Sequence, residues 1–247
     1  NSDGFTWTAG GTNTENFNKS SQTYVHWCWK ESATAGFDIV SYTGNGSART
    51  ISHSLSAVPN FMIVKNRGAS SDWRVYTENG GNTKWLQLND TSVFQTASTI
   101  WNDTSPTSSV FSVGTSAGVN TDTVAYIAYL FSAKQGFSKF GSYTGNNDAD
   151  GAFVWTGFRP AFVMNKQTDG TEGWMIHDSG RDPINPLGNH FTAQGTGGDT
   201  DRVSVDFLSN GFKWRVANTD TNNGDYIYMA FAEAPFVNSN GVPCNAR

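Results

Sequence analysis

Hydrophobic residues recur along the chain in runs of four to eight, separated by clusters of Gly, Asn, Ser, Thr and Asp. Apolar runs bounded by turn formers, several alternating with a period of two, are the pattern of strands. The pattern predicts strands over residues 37–42, 48–53, 60–65, 73–77, 84–88, 110–113 and 124–131. It predicts them again over 137–143, 152–155, 161–166, 174–177, 203–208, 212–216 and 226–231. No stretch sustains a 3.6-residue period, so almost no helix is expected. Two segments in each series are apolar on both faces: Phe61-Met-Ile-Val64 with Phe162-Val-Met164, and residues 126–131 with 226–231. Such strands are covered on both sides and belong at sheet centres. Pro59 and Pro160 stand just before one of them, where a missing N–H matters least.

The two series are one pattern written twice. Ser41-Tyr-Thr-Gly-Asn-Gly46 returns as Ser142-Tyr-Thr-Gly-Asn-Asn147, and the offset of 101 joins Pro59 to Pro160, Lys65 to Lys166, Trp73 to Trp174 and Phe111 to Phe212. It slips to 100 for Tyr126/Tyr226 and Phe131/Phe231. A repeat of this length implies two copies of one globular unit. Gly4-Phe-Thr-Trp7 and Tyr24-Val-His-Trp-Cys-Trp29 match the closing third of each unit. The expected organisation is therefore the closing strands of a preceding repeat (1–32), two related β-sandwich units, jelly-roll-like (33–135 and 136–236), and a tail along the second unit (237–247). On this reading the chain is the C-terminal portion of a longer polypeptide.

Composition fits an all-β class. Charged residues are 15% of the chain and aromatics 14%, with 9 Trp and 17 Phe, so the core should be aromatic. Net charge is −5 and no Lys/Arg cluster occurs, which argues against nucleic acid as a partner. The longest apolar runs, such as 125–131, are strand-sized and far short of the ~20 residues of a spanning helix, so no membrane insertion is expected. Cys28 and Cys244 have no metal or redox spacing. Cys28 aligns with Leu130 and Ala230 and reads as a small core filler; a disulfide to Cys244 is the alternative.

Candidate chemistry is sparse. His177 takes the place of Tyr76, which suits a packing or hydrogen-bonding role better than catalysis. No Ser–His–Asp arrangement and no Gly-x-Ser-x-Gly can be assembled. Asn147-Asp-Ala-Asp-Gly151 resembles half a calcium loop without its closing glutamate and reads as a polar turn. No acid is shared by both copies at a strand end, Asp72 preceding Trp73 where Gly173 precedes Trp174, so the duplicated units make poor candidates for a glycosidase with paired carboxylates. Neither metal nor cofactor is expected, and no enzymatic activity.

The copies diverge over residues 89–109 and 178–202, longer than ordinary connections, and any recognition loops are expected there. Trp73, Trp174, Trp7 and Trp214 recur between copies and should be core, whereas Trp85 and Trp101 do not recur. Trp101 sits in a polar segment, where an exposed ring could stack on a sugar or anchor a loop. Asp178, Arg181 and Asp182 form a second candidate site, with a self-bonded loop as the alternative.

Longer motifs carry a family resemblance. They are Gly36-Phe-Asp-Ile-Val-Ser-Tyr-Thr-Gly-Asn-Gly46, Val58-Pro-Asn-Phe-Met-Ile-Val-Lys-Asn-Arg67, the stretch 100–112, Phe140-Gly-Ser-Tyr-Thr-Gly145, Tyr226-Ile-Tyr-Met-Ala-Phe-Ala-Glu-Ala-Pro-Phe236 and residues 238–247. Together they resemble a domain family common in marine bacteriophages, found near the C-termini of tail-fibre-like and other virion-surface proteins. The resemblance implies a structural or receptor-binding module on the virion surface. Its implied partners are other virion proteins, further copies of itself (a trimer by analogy with fibres) and a host-surface glycan or receptor. A glycan-binding module of another extracellular protein is the alternative, and a polysaccharide depolymerase a third.

Overall fold

In the computed structural model, which describes residues 5–6 and 21–233, the two-faced apolar runs form the middles of two antiparallel sheets. The first sheet runs β1 (Phe37–Thr43), β8 (Ala125–Phe131), β3 (Phe61–Asn66), β4 (Trp73–Thr77), β5 (Lys84–Gln87) and β6 (Gln95–Thr96). A separate ribbon pairs β2 (Arg49–Ser52) with β7 (Val110–Val113). The second sheet starts at one edge with β10 (Phe153–Trp155), β15 (Gly211–Trp214), β14 (Thr200–Leu208) and β13 (Leu187–Thr192). It continues through β12 (Trp174–Asp178), β11 (Pro160–Gln167) and β16 (Asp225–Ala232) to β9 (Ser138–Thr144). Two one-turn helices, α1 (Ser98–Trp101) and α2 (Ala117–Asn120), complete the described residues. The chain is all-β and sandwich-type.

The pairing β1-β8-β3-β4-β5 recurs as β9-β16-β11-β12-β13, and the ribbon β2-β7 as β10-β15. What differs is β14, which lies between β13 and β15 and joins in the second half what stays apart in the first. The divergent segments 89–109 and 178–202, expected as loops, therefore hold β6 and α1 in one copy and β13 with the start of β14 in the other. The second sheet rolls until its edges meet: Lys139 of β9 donates from Nζ to the Trp155 carbonyl of β10 at 2.9 Å. A side chain, not a ladder, closes that seam. In the first half Asp38, at the position of Lys139, does the opposite job and accepts from the Ser54 N–H at 2.6 Å.

Alternation along the central strands sorts the core into three layers. Met62, Val64, Tyr76, Tyr126, Ala128 and Leu130 face the first outer layer with Phe111 and Leu55. Val163, Tyr228 and Ala230 face the other, against Val205, Phe212 and Trp214. The intervening positions point inward and meet: Phe61, Val75, Leu86 and Phe131 pack against Phe162, Met164, Trp174, Ile176, Ile227, Met229 and Phe231. Each side chain so buried contributes about 1.5–3 kcal/mol, and edge-on aromatic pairs such as Phe131–Phe231 at 6.1 Å add roughly 0.5–1.5. Polar stitches hold the seam between the halves. Trp174 Nε1 donates to the Gln87 carbonyl at 2.7 Å, and the buried Lys166 ammonium to those of Gln167 (2.6 Å) and Thr91 (3.1 Å).

Residues 24–29, expected as a strand, keep the alternation but join no ladder. Trp27 and Trp29 turn into the middle layer, Trp29 lying edge-on to Phe162 (5.7 Å) and Phe231 (5.4 Å). A segment outside a sheet has one covered face. Cys28 consequently faces solvent as a free thiol and is not the core filler its alignment suggested. Trp73 is also only half-buried, stacked on Tyr129 with the Lys65 ammonium over its ring. Trp7, Cys244 and the tail 237–247 lie outside the described residues.

Candidate functional site

The duplicated Tyr-Thr-Gly-Asn element is a structural lock. Tyr42 stacks on Tyr126 at 5.2 Å and Tyr143 on Tyr226 at 4.9 Å. Each first tyrosine donates across to a main-chain carbonyl, Val119 at 2.6 Å and Thr221 at 2.7 Å. A fully buried asparagine ties each turn. Asn120 Nδ2 donates to Ser47 O (2.7 Å) and Gly114 O (2.8 Å), and Asn222 Nδ2 to Asp148 O (2.8 Å) and Val216 O (3.0 Å). Their Oδ1 atoms accept from Asn45 and Asn146 backbone N–H. The intervening glycine is a matter of space: a Cβ on Gly44 would fall 2.0 Å from Thr121 O, and one on Gly145 2.2 Å from the Asn222 carbonyl carbon. Asn147 and its neighbouring acids cap this turn, Asp148 Oδ1 accepting from Asp150 N at 2.8 Å.

The structure scatters the residues singled out in the sequence. Trp101 is buried, with Nε1 bonded to Lys84 O at 3.1 Å and its ring against Tyr76, so it is no exposed platform. The one-turn helix α1 swings it inward from its polar segment. Trp85 is half-buried beneath the Arg74 guanidinium, 4.3 Å from its ring centre. Asp178 and Arg181 do meet: Arg181 Nε donates to Asp178 Oδ2 at 2.6 Å, while Nη1 reaches Asp199 and Nη2 the Ile176 carbonyl at 3.2 Å. Trp27 Nε1 adds a bond to the same Asp178 oxygen at 3.3 Å. Asp182 turns elsewhere and accepts from the Gly188 and Asn189 N–H groups. This is the self-bonded loop, a brace that also clamps the N-terminal segment.

Beside it lies His177, fully buried, 5.5 Å from Trp214 and 5.6 Å from His190 between ring centres. Burial first, then His190 and the Arg181 cation, bring its pKa down to about 3. The ring is a neutral packing group at neutral pH, as its exchange with Tyr76 suggested.

The feature that sequence reasoning missed is on the outer edge of the second sheet. Phe153 and Trp155 of β10 point the same way and are 46% and 56% exposed. Cross-strand partners fix their counterparts in the first half. Val154 pairs with Phe212 as Ile51 pairs with Phe111, so Phe153 matches Thr50 and Trp155 matches Ser52. The copy offset is 103 here, because the preceding turn is longer by two residues. That local slip, and the reading of 152–155 as an ordinary half-buried strand, hid the substitution of two aromatics for Thr and Ser.

Trp155 is held in place. The Lys139 ammonium sits 3.9 Å from its ring centre, and a Cβ on Gly157 would come 3.1 Å from Trp155 Cζ2. Lys213 lies directly across from Phe153 and Asp206 across from Lys213. Around them run exchangeable ion pairs: Lys213–Asp150 at 2.7 Å, Arg215–Asp206 at 3.3 Å and Arg215–Asp150 at 3.7 Å. An aromatic pair ringed by charges can stack on an apolar ligand face while bonding its polar rim.

Fold and surface define an all-β, sandwich-type protein of two related halves with an aromatic outer edge on one of them. Residues 1–235 match the family model described as a domain of unknown function, DUF7483, and the chain belongs to that family. No curated protein and no solved structure matches it.

Proposed function

We propose that this chain is a non-enzymatic, surface-exposed module of a bacteriophage particle, part of a fibre or appendage that attaches to the host. The sequence motifs resembling virion-surface domains support the setting. The observation that carries the attachment role is the Phe153/Trp155 pair. Exposed aromatics at positions where the sister unit has Thr50 and Ser52 are not needed to build the fold. A shared aromatic core and doubly tied turns suit a part that must stay folded outside the cell. Its partners on this reading are neighbouring virion proteins and a host-surface receptor.

Immunogold electron microscopy of the source particle tests the setting, with label expected on a fibre or surface appendage. Host-cell binding by the labelled chain tests the role. The double variant Phe153→Thr, Trp155→Ser restores the residues of the first half and should abolish binding while keeping the fold. Full retention of binding by that variant would refute the assignment to this edge.

A further inference from the structure

We infer that the Phe153/Trp155 edge takes an acidic glycan, a pyranose chain carrying carboxylate or sulfate. This names the ligand class of the attachment reading and rests on it. Three observations point the same way. The tryptophan is immobilised by Lys139 and Gly157 yet remains more than half exposed, which is what a stacking surface for a sugar's C–H face needs. The Lys139 ammonium has a carbonyl and the ring as its neighbours and, among the described residues, no carboxylate partner, so it brings an unpaired positive charge to the base of the plate. The surrounding Lys213 and Arg215 are paired with Asp150 and Asp206 through contacts partly open to solvent, which a ligand anion can replace.

Three cations (Lys139, Lys213, Arg215) stand about the pair with the carboxylates of Asp150 and Asp206 and, in the same turn as Asp150, Asp148; among them Lys139 is the cation that none of these acids pairs. Gly211, across from Trp155, lets the Phe153 ring lie over the neighbouring strand, since a Cβ there would meet the Val154 carbonyl oxygen at 2.2 Å and that ring at 3.0 Å. A long unbranched saccharide can lie over Trp155 and Phe153 in succession, with its anionic groups toward Lys139 and Lys213. Direct contact of the acid with these ammonium groups makes the binding sensitive to salt.

The test is a panel of uronate-bearing and sulfated oligosaccharides, with the methyl ester of each uronate as its uncharged twin. Calorimetry on the intact chain follows for any that bind. At least one acidic glycan should bind, weakening as salt rises. Phe153→Thr with Trp155→Ser should remove that binding, and an unchanged thermal melt shows that the variant is folded. Lys139→Met should cut the preference for the acid over its ester on the order of tenfold, whatever both lose to a looser Trp155 ring. An ester bound as tightly as its acid, or a Lys139→Met variant that keeps the full preference for the acid, overturns the ligand class but leaves the attachment role standing. Failure of every acidic glycan overturns it too, and so does glycan binding that survives the double variant. If the pair is found instead to mediate self-association, seen as a change in mass by light scattering, the inference is refuted.

Discussion

Acid should destabilise this protein through one ring, His177. The imidazole is enclosed by Trp214 from β15, His190 from β13, the Arg181 guanidinium and the Val203 backbone of β14, which offsets only part of the penalty of burial. Its pKa falls from 6.5 to about 3. In the unfolded chain the ring takes a proton below about pH 6.5, whereas the folded protein refuses one until about pH 3. The stability this supplies is therefore complete above pH 6.5 and is lost as pH falls through that window. Each pH unit is worth ~1.4 kcal/mol, so the site alone costs about 2 kcal/mol by pH 5 and on the order of 5 by pH 3. Against a typical total of ~5–15 kcal/mol, that is enough to decide the acid limit. Urea unfolding followed by tryptophan fluorescence at about pH 7.5 and about pH 5 measures it. Wild type should lose about 2 kcal/mol more than His177→Gln over that interval. Equal losses in the two proteins, or a folded-state imidazole resonance titrating near its ordinary value, would refute the reasoning.

Replacing Asn222 by Ala strands buried carbonyls and N–H groups in the second turn and should cost ~2–4 kcal/mol in a thermal melt, with Asn120→Ala behaving alike; unchanged melting would remove the lock from the account. Trp101→Ala should cost roughly 3–5 kcal/mol by opening the first outer layer, yet leave host-cell binding of the folded fraction unchanged. In alkali two effects oppose each other. Burial lowers the Lys166 pKa from 10.5 to about 8, so the unfolded chain holds that proton longer and stability rises with pH between these values. Tyr76, Tyr226 and Tyr228 are pushed from 10 up to about 12, so their contribution is lost as pH climbs past 10. Guanidinium melts from neutral to strongly alkaline pH should show a maximum between roughly pH 8 and 10, and Lys166→Met should flatten the rising limb.

Much of the framework was readable along the chain, and the reason is local. Side chains in a strand alternate faces whatever lies beyond them, so 73–77 and 110–113 were placed to the residue and most others to within two. The two-faced runs around Phe61 and Tyr126 announced burial on both sides, since apolar side chains on both faces need two covers. The repeat of Tyr-Thr-Gly-Asn marked a shared device, although what it does required the stacked tyrosines and the buried asparagines drawn in from more than 70 residues away.

Long-range pairing decided the rest. Trp101 looked exposed because its neighbours are polar, but a single helical turn aims it at Tyr76. Leu187–Thr192 looked like loop because the two copies diverge over 178–202, and only its pairing with β12 and β14 makes it a strand and buries His190. Cys28 followed the alignment of its segment until that segment left the sheet and kept one inner face. Phe153 and Trp155 read as ordinary strand residues, and only the ladder with β15 set them against Thr50 and Ser52 on the solvent side. Sequence by itself determined the strands, their doubling and the two-sided burial of the central ones, because backbone pleat and hydrophobicity act over a few residues. Tertiary structure alone decided which faces meet and which stay open to water, because a side chain's surroundings are set by segments far away in the chain.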